Sequence, residues 1–350
     1  MRPRLGFIVA ARASTVPFLL GITNLEERGA IRRLSSLTIK RRVFPKPIVG
    51  LCTNCEQDHD GQSENVKRQG VAMKIYCIQV GDVQIKSRHK QARFESRIAR
   101  MGDVLIDPNW TPRLPIGCWA IDHPEGLIVV DTGESSHAND PGYQPWWHPF
   151  MQRCERRWVG RDEEVGPRLR ALGFDPLDVR WVVMTHMHGD HAGGIGHFPN
   201  SEILLSKQEA DDAWARTGPL LGYLNMHYPN WLKPTIVSFS DGRWESFERS
   251  TALTKDGRVR IVPTPGHTLG HLAVVVEKDK NCVLIAGDAA YDEQHLLRGA
   301  VDGVAQSAPL HRDSTRRLRE LCNRRPTITQ FAHDPNSAKR LASATPTKAD

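Results

Sequence analysis

Three histidines and one aspartate lie within six positions of the sequence, in the segment 186–191. His186 and His188 are two residues apart, so in an extended loop their side chains point the same way and can bind one ion. Gly189 permits a turn that presents Asp190 and His191 to a second position. Imidazole and carboxylate groups are common ligands of Zn²⁺, so this spacing indicates a metal site.

Further polar side chains follow apolar runs elsewhere in the chain. His267, Asp288 and His333 each come directly after such a run, and Asp131 ends another, from which it could orient a ligand. Five histidines and two aspartates exceed the needs of one tetrahedral ion. They suit two ions that share Asp288 as a bridge. We expect two divalent ions, with Zn²⁺ preferred and Mn²⁺, Fe and Co²⁺ also compatible.

For each histidine taken alone, the alternative is an ordinary hydrogen-bonded structural role. The placement of the set after several strands favours metal binding for the set as a whole. Four other histidines have no such placement, and we interpret them as surface or packing residues: His197, His227, His271 and His295.

The elements that must position these side chains are mostly short strands. Apolar runs predict strands at 74–80, 127–130, 179–185, 203–205, 258–262, 272–277, 282–286 and 327–331. Helices are predicted at 167–172, 207–216 and 312–324. This order predicts sheets packed together with helices outside. The aromatic-rich segment 213–234 either packs as a helical excursion or forms the wall of an apolar pocket.

The sequence resembles the metallo-β-lactamase superfamily over roughly residues 73–340. The resemblance rests on HMHGDH at 186–191, TPGHTLGH at 264–271, AGD at 286–288 and FAHD at 331–334. It implies an α+β fold, the four-layer αβ/βα sandwich, with a dinuclear metal site at one edge. It also implies two sets of ligands that share Asp288: His186, His188 and His267 on the first metal, and Asp190, His191 and His333 on the second.

Within the superfamily, DAAY at 288–291 and the segment 116–126 resemble the quorum-quenching N-acyl-homoserine lactonases. In that family an aspartate bridges the metals and a tyrosine three residues later faces the substrate carbonyl, which implies a catalytic role for Tyr291. Gly189 departs from the family pattern, in which a bulky residue is more common. The departure puts the shape of the pocket in question.

The resemblance implies a metal-dependent hydrolase that opens a lactone ring, most directly that of an N-acyl homoserine lactone. Two metals lower the pKa of a bridging water, and the resulting hydroxide attacks the ring carbonyl. Tyr291 would donate to the developing oxyanion, and Asp190 would pass a proton to the leaving alkoxide. The expected partner is a small-molecule lactone whose apolar acyl chain lies against segment 213–234.

Other activities of the superfamily are the alternatives. A β-lactamase is the nearest, although such enzymes generally do not use Asp288 as a full bridging ligand. A thioester hydrolase of the glyoxalase II type would have a helical C-terminal region with basic contacts. Six arginines between positions 312 and 325 fit that idea, but the solvated face of a helix explains them more simply. A metal-binding scaffold without catalysis ranks last, because every ligand position is filled.

Composition and charge argue against nucleic-acid and membrane proteins. Residues 1–72 account for +6 of the net charge of +7, so the rest of the chain is nearly neutral and offers no general polyanion surface. No uncharged apolar run is long enough to span a bilayer. We therefore expect no nucleic acid and no membrane as partners, and leave a homodimer open.

The N-terminal region differs from the rest of the chain. We expect residues 1–72 to be a poorly ordered or leader-like extension, and residues 73–345 to form the hydrolase domain. Seven cysteines without regular spacing indicate reduced, cytoplasmic usage rather than disulfides, although an N-terminal leader is compatible with the sequence. Cys52 and Cys55 form a CxxC pair for which a solvated loop is the simplest interpretation.

Overall fold

The computed structural model describes residues 73–348. The expectations for the extension at 1–72 and for Cys52 and Cys55 lie outside the described residues. Within residues 73–348, no helix combines the length and the apolar character that crossing a membrane requires.

Two sheets form the centre of the fold. The first has seven strands in the order β4-β1-β2-β3-β5-β6-β7. Its strands are β1 (Lys74–Ile85), β2 (Leu114–Asp122), β3 (Leu127–Val130), β4 (Glu155–Trp158), β5 (Val179–Val183), β6 (Glu202–Leu205) and β7 (Thr235–Ile236). The second has five strands in the order β12-β11-β10-β9-β8. These are β8 (Thr251–Ala252), β9 (Val259–Pro263), β10 (Leu272–Glu277), β11 (Cys282–Ile285) and β12 (Thr327–Gln330).

Helices cover the outer faces of both sheets. They are α1 (Ser87–Lys90), α2 (Arg97–Ile106), α3 (Pro149–Arg153), α4 (Val165–Ala171), α5 (Gly189–Ala192), α6 (Lys207–Trp214), α7 (Glu293–Leu297), α8 (Ala308–Arg324) and α9 (Ser337–Ala342). Leu169 of α4 packs on the outside of the first sheet, and Leu318 and Leu321 of α8 pack on the outside of the second. The predicted α+β four-layer sandwich is confirmed.

The central core lies between the two sheets. Trp119 and Val130 of the first sheet pack with Ile261, Val274 and Ile328 of the second, and all are buried. The runs that form β5, β10 and β11 are almost continuously apolar, because each strand is covered on both faces. This core is a rigid support for the loops at the strand ends.

Several predicted boundaries were wrong. The first strand continues to Ile85 through a bulge between Gln79 and Asp82, where Gly81 adopts φ +104°. Helix α8 begins at Ala308 rather than at 312, because the side chain of Ser307 accepts a hydrogen bond from the backbone of Leu310. Segment 213–234 forms short 3₁₀ turns at 218–221 and 225–227 after α6, in place of a longer helical excursion.

The strands bring their carboxyl ends to a common edge. β3, β5 and β6 are parallel neighbours in the first sheet, and β11 and β12 are parallel neighbours in the second. The polar residues that follow β3, β5, β11 and β12 are Asp131, Thr185 to His186, Asp288 and His333. Parallel pairing therefore places side chains from distant parts of the sequence at one end of the sandwich.

Truncation of Ile261 tests the packing between the sheets. Ile261 is fully buried, so Ile261→Ala should lower the free energy of unfolding by about 2–5 kcal/mol in denaturant titrations. The same change at Ile106, which is 77% exposed, should alter stability by less than about 0.5 kcal/mol. Equal effects at the two positions would contradict the assignment of Ile261 to the central core.

Candidate metal centre

Three histidines converge where loops from the two sheets meet. Nε2 of His186 lies 3.1 Å from Nδ1 of His188, and the same Nδ1 lies 3.1 Å from Nε2 of His267. His186 and His188 follow β5, whereas His267 follows β9 of the other sheet. We refer to these residues as the three-histidine group. Their spacing is what a single ion bound by three nitrogens requires.

In each imidazole of the group, the outer nitrogen bonds an oxygen, and this bond fixes the orientation of the ring. Oγ1 of Thr185 lies 3.1 Å from Nδ1 of His186, and the carbonyl oxygen of Leu221 lies 3.0 Å from Nε2 of His188. Oδ2 of Asp302 lies 3.1 Å from Nδ1 of His267. Since these oxygens accept hydrogen bonds from the outer nitrogens, the outer nitrogens carry the protons. The inner nitrogens therefore present lone pairs to each other.

A second group contains Asp190, His191 and His333. Oδ2 of Asp190 lies 3.4 Å from Nε2 of His333, and the ligand atoms of all three residues lie within 4.8 Å of one another. The outer nitrogens are again occupied: Nδ1 of His191 by Asp131 at 2.9 Å, and Nδ1 of His333 by the carbonyl of Pro115 at 3.0 Å. Asp131, which follows β3, thus bonds the imidazole of His191.

Asp288 lies between the two groups. Its Oδ2 is 3.4 Å from Nε2 of His333 and 3.7 Å from Nε2 of His267, and its Oδ1 is 3.4 Å from Nε2 of His191. All seven predicted site residues are therefore close together, in two groups that meet at this carboxylate. The arrangement can serve two cations with one shared oxygen ligand.

Sequence reasoning missed two residues that hold these ligands. His271 is buried, and its Nε2 accepts a hydrogen bond from the backbone N of Asp288 at 3.2 Å. It therefore holds the backbone of Asp288 and does more than pack. Asp302 is also fully buried and bonds His267. The sequence GHTLGH signalled His271 weakly, whereas Asp302 lies in an irregular loop with no distinctive pattern around it.

The donor set fits cations. Nε2 of His191 and Oδ1 of Asp288 are buried and have no hydrogen-bond partner within residues 73–348. Burial opposes protonation of His333, but the negative charges of Asp288 and Asp190 raise the pKa of its imidazole to about 10. The centre therefore favours positive charge, and its inward-facing nitrogens and oxygens are the donor atoms that Zn²⁺ accepts.

Tyr291 lies beside the second group. It is 2% exposed, and its ring stacks on that of His333 with centroids 5.4 Å apart. Burial, together with the negative charge of Asp288, raises the pKa of its hydroxyl well above the ordinary value. Tyr291 therefore keeps its proton and can act only as a neutral donor or acceptor near neutral pH.

A narrow cleft that opens to solvent leads to the centre. Leu220, Leu221 and Gly222 of segment 213–234 line it, whereas Tyr223 and Leu224 are buried in the protein. Part of the segment therefore forms a wall of the cleft and part packs in the interior, although not as a helical excursion. Further apolar walls come from residues that the sequence did not single out: Val83, Ile85, Met101, Phe150, Met151 and Val304.

One other cluster has the composition of a metal site but is satisfied by hydrogen bonds. Nδ1 of His123 accepts a hydrogen bond from the backbone N of Glu125 at 3.1 Å, so Nε2 carries the imidazole proton. That Nε2 lies 3.0 Å from Oδ2 of Asp256 and donates to it. A metal would need the same Nε2 lone pair, so this cluster is a clamp between loops.

Three comparisons with known proteins agree with this geometry. The family model described as the Metallo-beta-lactamase superfamily matches residues 111–333. An N-acyl homoserine lactonase, AttM of Rhizobium radiobacter, is 30% identical over 64% of this chain and 83% of its own length. The N-acyl homoserine lactonase AiiA of Bacillus thuringiensis subsp. kurstaki is 25% identical over 67% of this chain and 87% of its own length.

Solved structures show the same fold. An N-acyl homoserine lactone hydrolase with the product N-hexanoyl-L-homoserine at its catalytic metal centre has a TM-score of 0.62 and 24% identity, and the match covers 76% of this chain and 94% of that protein. AidC, a dizinc quorum-quenching lactonase, has a TM-score of 0.53 and 15% identity, and the match covers 75% of this chain and 88% of AidC.

Gly189 lies in a crowded place. A Cβ added there would lie 3.0 Å from Cδ1 of Leu224 and 3.3 Å from Oε2 of Glu134. Glu134 is fully buried and forms an ion pair with Arg157, which lines the cleft. In this chain a charged pair and a leucine therefore fill the space next to position 189.

A larger residue at position 189 should overpack the protein. We expect Gly189→Leu to lower the free energy of unfolding by about 1–3 kcal/mol in denaturant titrations, because Leu224 and Glu134 must move. Gly196→Leu is the matched control, since a Cβ at the exposed Gly196 meets nothing within 4 Å. A stable Gly189→Leu protein would show that the space beside Glu134 admits a bulky side chain.

Proposed function

This chain belongs to the metallo-β-lactamase superfamily, and from that membership we propose that it is a dinuclear metal-dependent hydrolase that opens the ring of an N-acyl homoserine lactone. The homology to N-acyl homoserine lactonases supports the choice of a lactone. The observation that carries the proposal is the position of Asp288 between two groups of inward-facing ligands.

Each group would hold one divalent cation, with Zn²⁺ the best match to the donor atoms. The three-histidine group would bind one ion, Asp190, His191 and His333 would bind the other, and Asp288 would contact both. When bound, such a pair supplies a water nucleophile at neutral pH and polarises the carbonyl under attack. The chain needs no serine or cysteine nucleophile for this reaction.

Tyr291 would stabilise the charge that develops on the lactone carbonyl oxygen. Tyr291 lines the cleft, its ring stacks on that of His333, and its hydroxyl remains protonated, as its raised pKa requires. A donor placed before the reaction begins is worth more in a buried site than in water, because it does not have to reorient. Tyr291 therefore orients the substrate and binds the oxyanion.

Asp190 is placed to move a proton. Burial opposes its ionisation, but the charges of His191 and His333 lower the pKa of its carboxyl below the ordinary range. Both aspartates line the cleft, but the side chain of Asp190 is 19% exposed whereas that of Asp288 is 4% exposed. Asp190 would accept a proton from water and return it to the alkoxide that leaves when the ring opens.

The cleft suits an acyl chain. Met101, Phe150, Leu220, Leu221 and Val304 present apolar surface that leads from solvent to the centre. Burial of methylene groups against these side chains would contribute most of the binding free energy, at about 0.8 kcal/mol for each group. A small lactone with an apolar chain is therefore the substrate that this cleft fits best.

Three arginines of α8 form ion pairs that do not favour a thioester hydrolase. Arg312 pairs with Glu95, Arg316 pairs with acidic residues of its own helix, and Arg317 pairs with Asp313 and Glu248. These guanidinium groups are already neutralised. They do not form a free basic patch for an acidic substrate such as a glutathione conjugate.

Metal content and a substrate comparison test the proposal together. Elemental analysis of the wild type should find about two divalent ions per chain. Asp288→Asn should bind fewer ions and should lose most of the activity. The holoenzyme should hydrolyse an acyl-homoserine lactone faster than a cephalosporin, a glutathione thioester or a bis-aryl phosphate. A folded chain that binds no metal would refute the proposal, and preference for another substrate would refute its lactonase part.

Loss of the Tyr291 hydroxyl should slow turnover. We expect Tyr291→Phe to reduce kcat by about 10–1000-fold with metal content unchanged, as for the loss of one oxyanion donor. Tyr76→Phe is the control, because Tyr76 packs against Phe174 away from the cleft. Equal kcat values for wild type and Tyr291→Phe would remove Tyr291 from the mechanism.

A further inference from the structure

The carboxylate of Glu209 lies between the two loops that carry the three-histidine group. Its Oε1 accepts a hydrogen bond from the backbone N of Met187 at 2.8 Å, between two histidines of the group. Its Oε2 accepts one from Oγ1 of Thr268 at 2.6 Å, the residue after His267. Glu209 is fully buried and does not line the cleft. One side chain therefore bonds both loops beside their ligands.

These loops need a connection because they belong to different sheets. The loop at 184–188 follows β5, and the loop at 264–271 follows β9, yet their imidazole nitrogens lie 3.1 Å apart. A backbone hydrogen bond from Leu272 to Thr185 joins the loops before His186, at 3.0 Å. Glu209 joins them on the other side of His186, through Met187 and Thr268, which are adjacent in sequence to His188 and His267.

Glu209 itself has little freedom to move. Oγ of Ser206 accepts a hydrogen bond from the backbone N of Glu209 at 3.1 Å and donates one to the carbonyl oxygen of Gly270 at 2.6 Å. A Cβ on Gly270 would lie 2.2 Å from the backbone N of Glu209, so only glycine permits this contact. The start of α6 is therefore fixed against the loop that carries His267.

A second side chain from the same part of the chain also bonds the loop at 184–188. Oη of Tyr228 donates a hydrogen bond to the carbonyl oxygen of Met187 at 3.1 Å. The backbone N–H and C=O of Met187 are therefore both bonded by side chains of segment 207–228. A backbone held at both polar groups cannot rotate its neighbouring histidines without breaking a buried hydrogen bond.

We propose that Glu209 is a positioning residue that holds the two loops of the three-histidine group at the separation one cation requires. The inference rests on the proposed metal-dependent function. Glu209 touches neither ion nor substrate, and it acts through Met187 and Thr268. Without it, the loop of His188 and the loop of His267 move apart and the cation at this position binds more weakly. The group of Asp190, His191 and His333 receives no hydrogen bond from Glu209 and keeps its affinity.

Metal affinity of the apo protein tests this role without reference to activity. Chelator-dialysed protein is titrated with Zn²⁺ against a chromophoric chelator. Glu209→Ala should weaken one of the two binding steps by about 10–100-fold and leave the other unchanged. Thr268→Val, which removes one of the two hydrogen bonds, should weaken the same step less.

Conservative variants separate positioning from loss of packing. Glu209→Gln should bind Zn²⁺ nearly as wild type, because its oxygen accepts from Met187 and its amide donates to the Thr268 hydroxyl. Thr268→Ser should do the same. Thr254→Val is the matched control, since the buried Thr254 hydroxyl bonds Asp256 at 2.6 Å in another loop.

The outcomes distinguish this inference from the proposed function. If the wild type binds two Zn²⁺ ions and Glu209→Ala and Thr268→Val bind them with the same affinities, the inference is overturned but the proposed function is not. An equal loss of affinity in Thr254→Val also overturns it, because general destabilisation would then explain the effect. Wild type that binds no Zn²⁺ overturns both. If Glu209→Ala does not fold, the Thr268→Val and Thr268→Ser pair decides.

Discussion

Imidazole lone pairs that face one another across 3.1 Å, beside a buried carboxylate, are the constraint on which the rest of the structure depends. Such an arrangement is unfavourable in a protein interior unless a cation occupies the space between the donors. It persists because each outer nitrogen bonds an oxygen. Thr185, the carbonyl of Leu221 and Asp302 supply these oxygens for the first group, and Asp131 and the carbonyl of Pro115 do so for the second.

The sandwich meets this constraint by its rigidity. Strands buried on both faces end at one edge, where their loops carry the ligands. A close-packed core resists displacement, so loops that leave it start from defined positions. Buried side chains such as His271 and Glu209 restrict the remaining conformational freedom of these loops, because they bond backbone groups next to the site residues. Elements of both sheets therefore determine the positions of the side chains at the centre.

The cleft combines two kinds of wall. Apolar side chains from α2, α3 and segment 213–234 cover one part, and the buried Arg157 with Glu155 forms another. Glu134 pairs with Arg157 but does not line the cleft. A buried guanidinium is tolerated there because two carboxylates neutralise it. Gly189 leaves room for this charged cluster beside the centre. The departure from the lactonase pattern at this position is thus coupled to the residues that surround it.

Apolar runs in the sequence predicted eight of the twelve strands within residues 73–348, and the types and spacing of the polar residues predicted seven candidate ligands, because both are local properties of the chain. The resemblance of short motifs to the metallo-β-lactamase superfamily predicted the four-layer fold. Only the tertiary structure decided which nitrogen of each imidazole faces inward, and which residues hold the ligands in place. Asp302 and Glu209 lie on a loop and a helix with no pattern that marks them, and GHTLGH marks His271 only weakly, because the roles of all three depend on contacts between distant segments. The start of α8 and the bulge at Gly81 were not predicted either, because capping and register depend on neighbours in space.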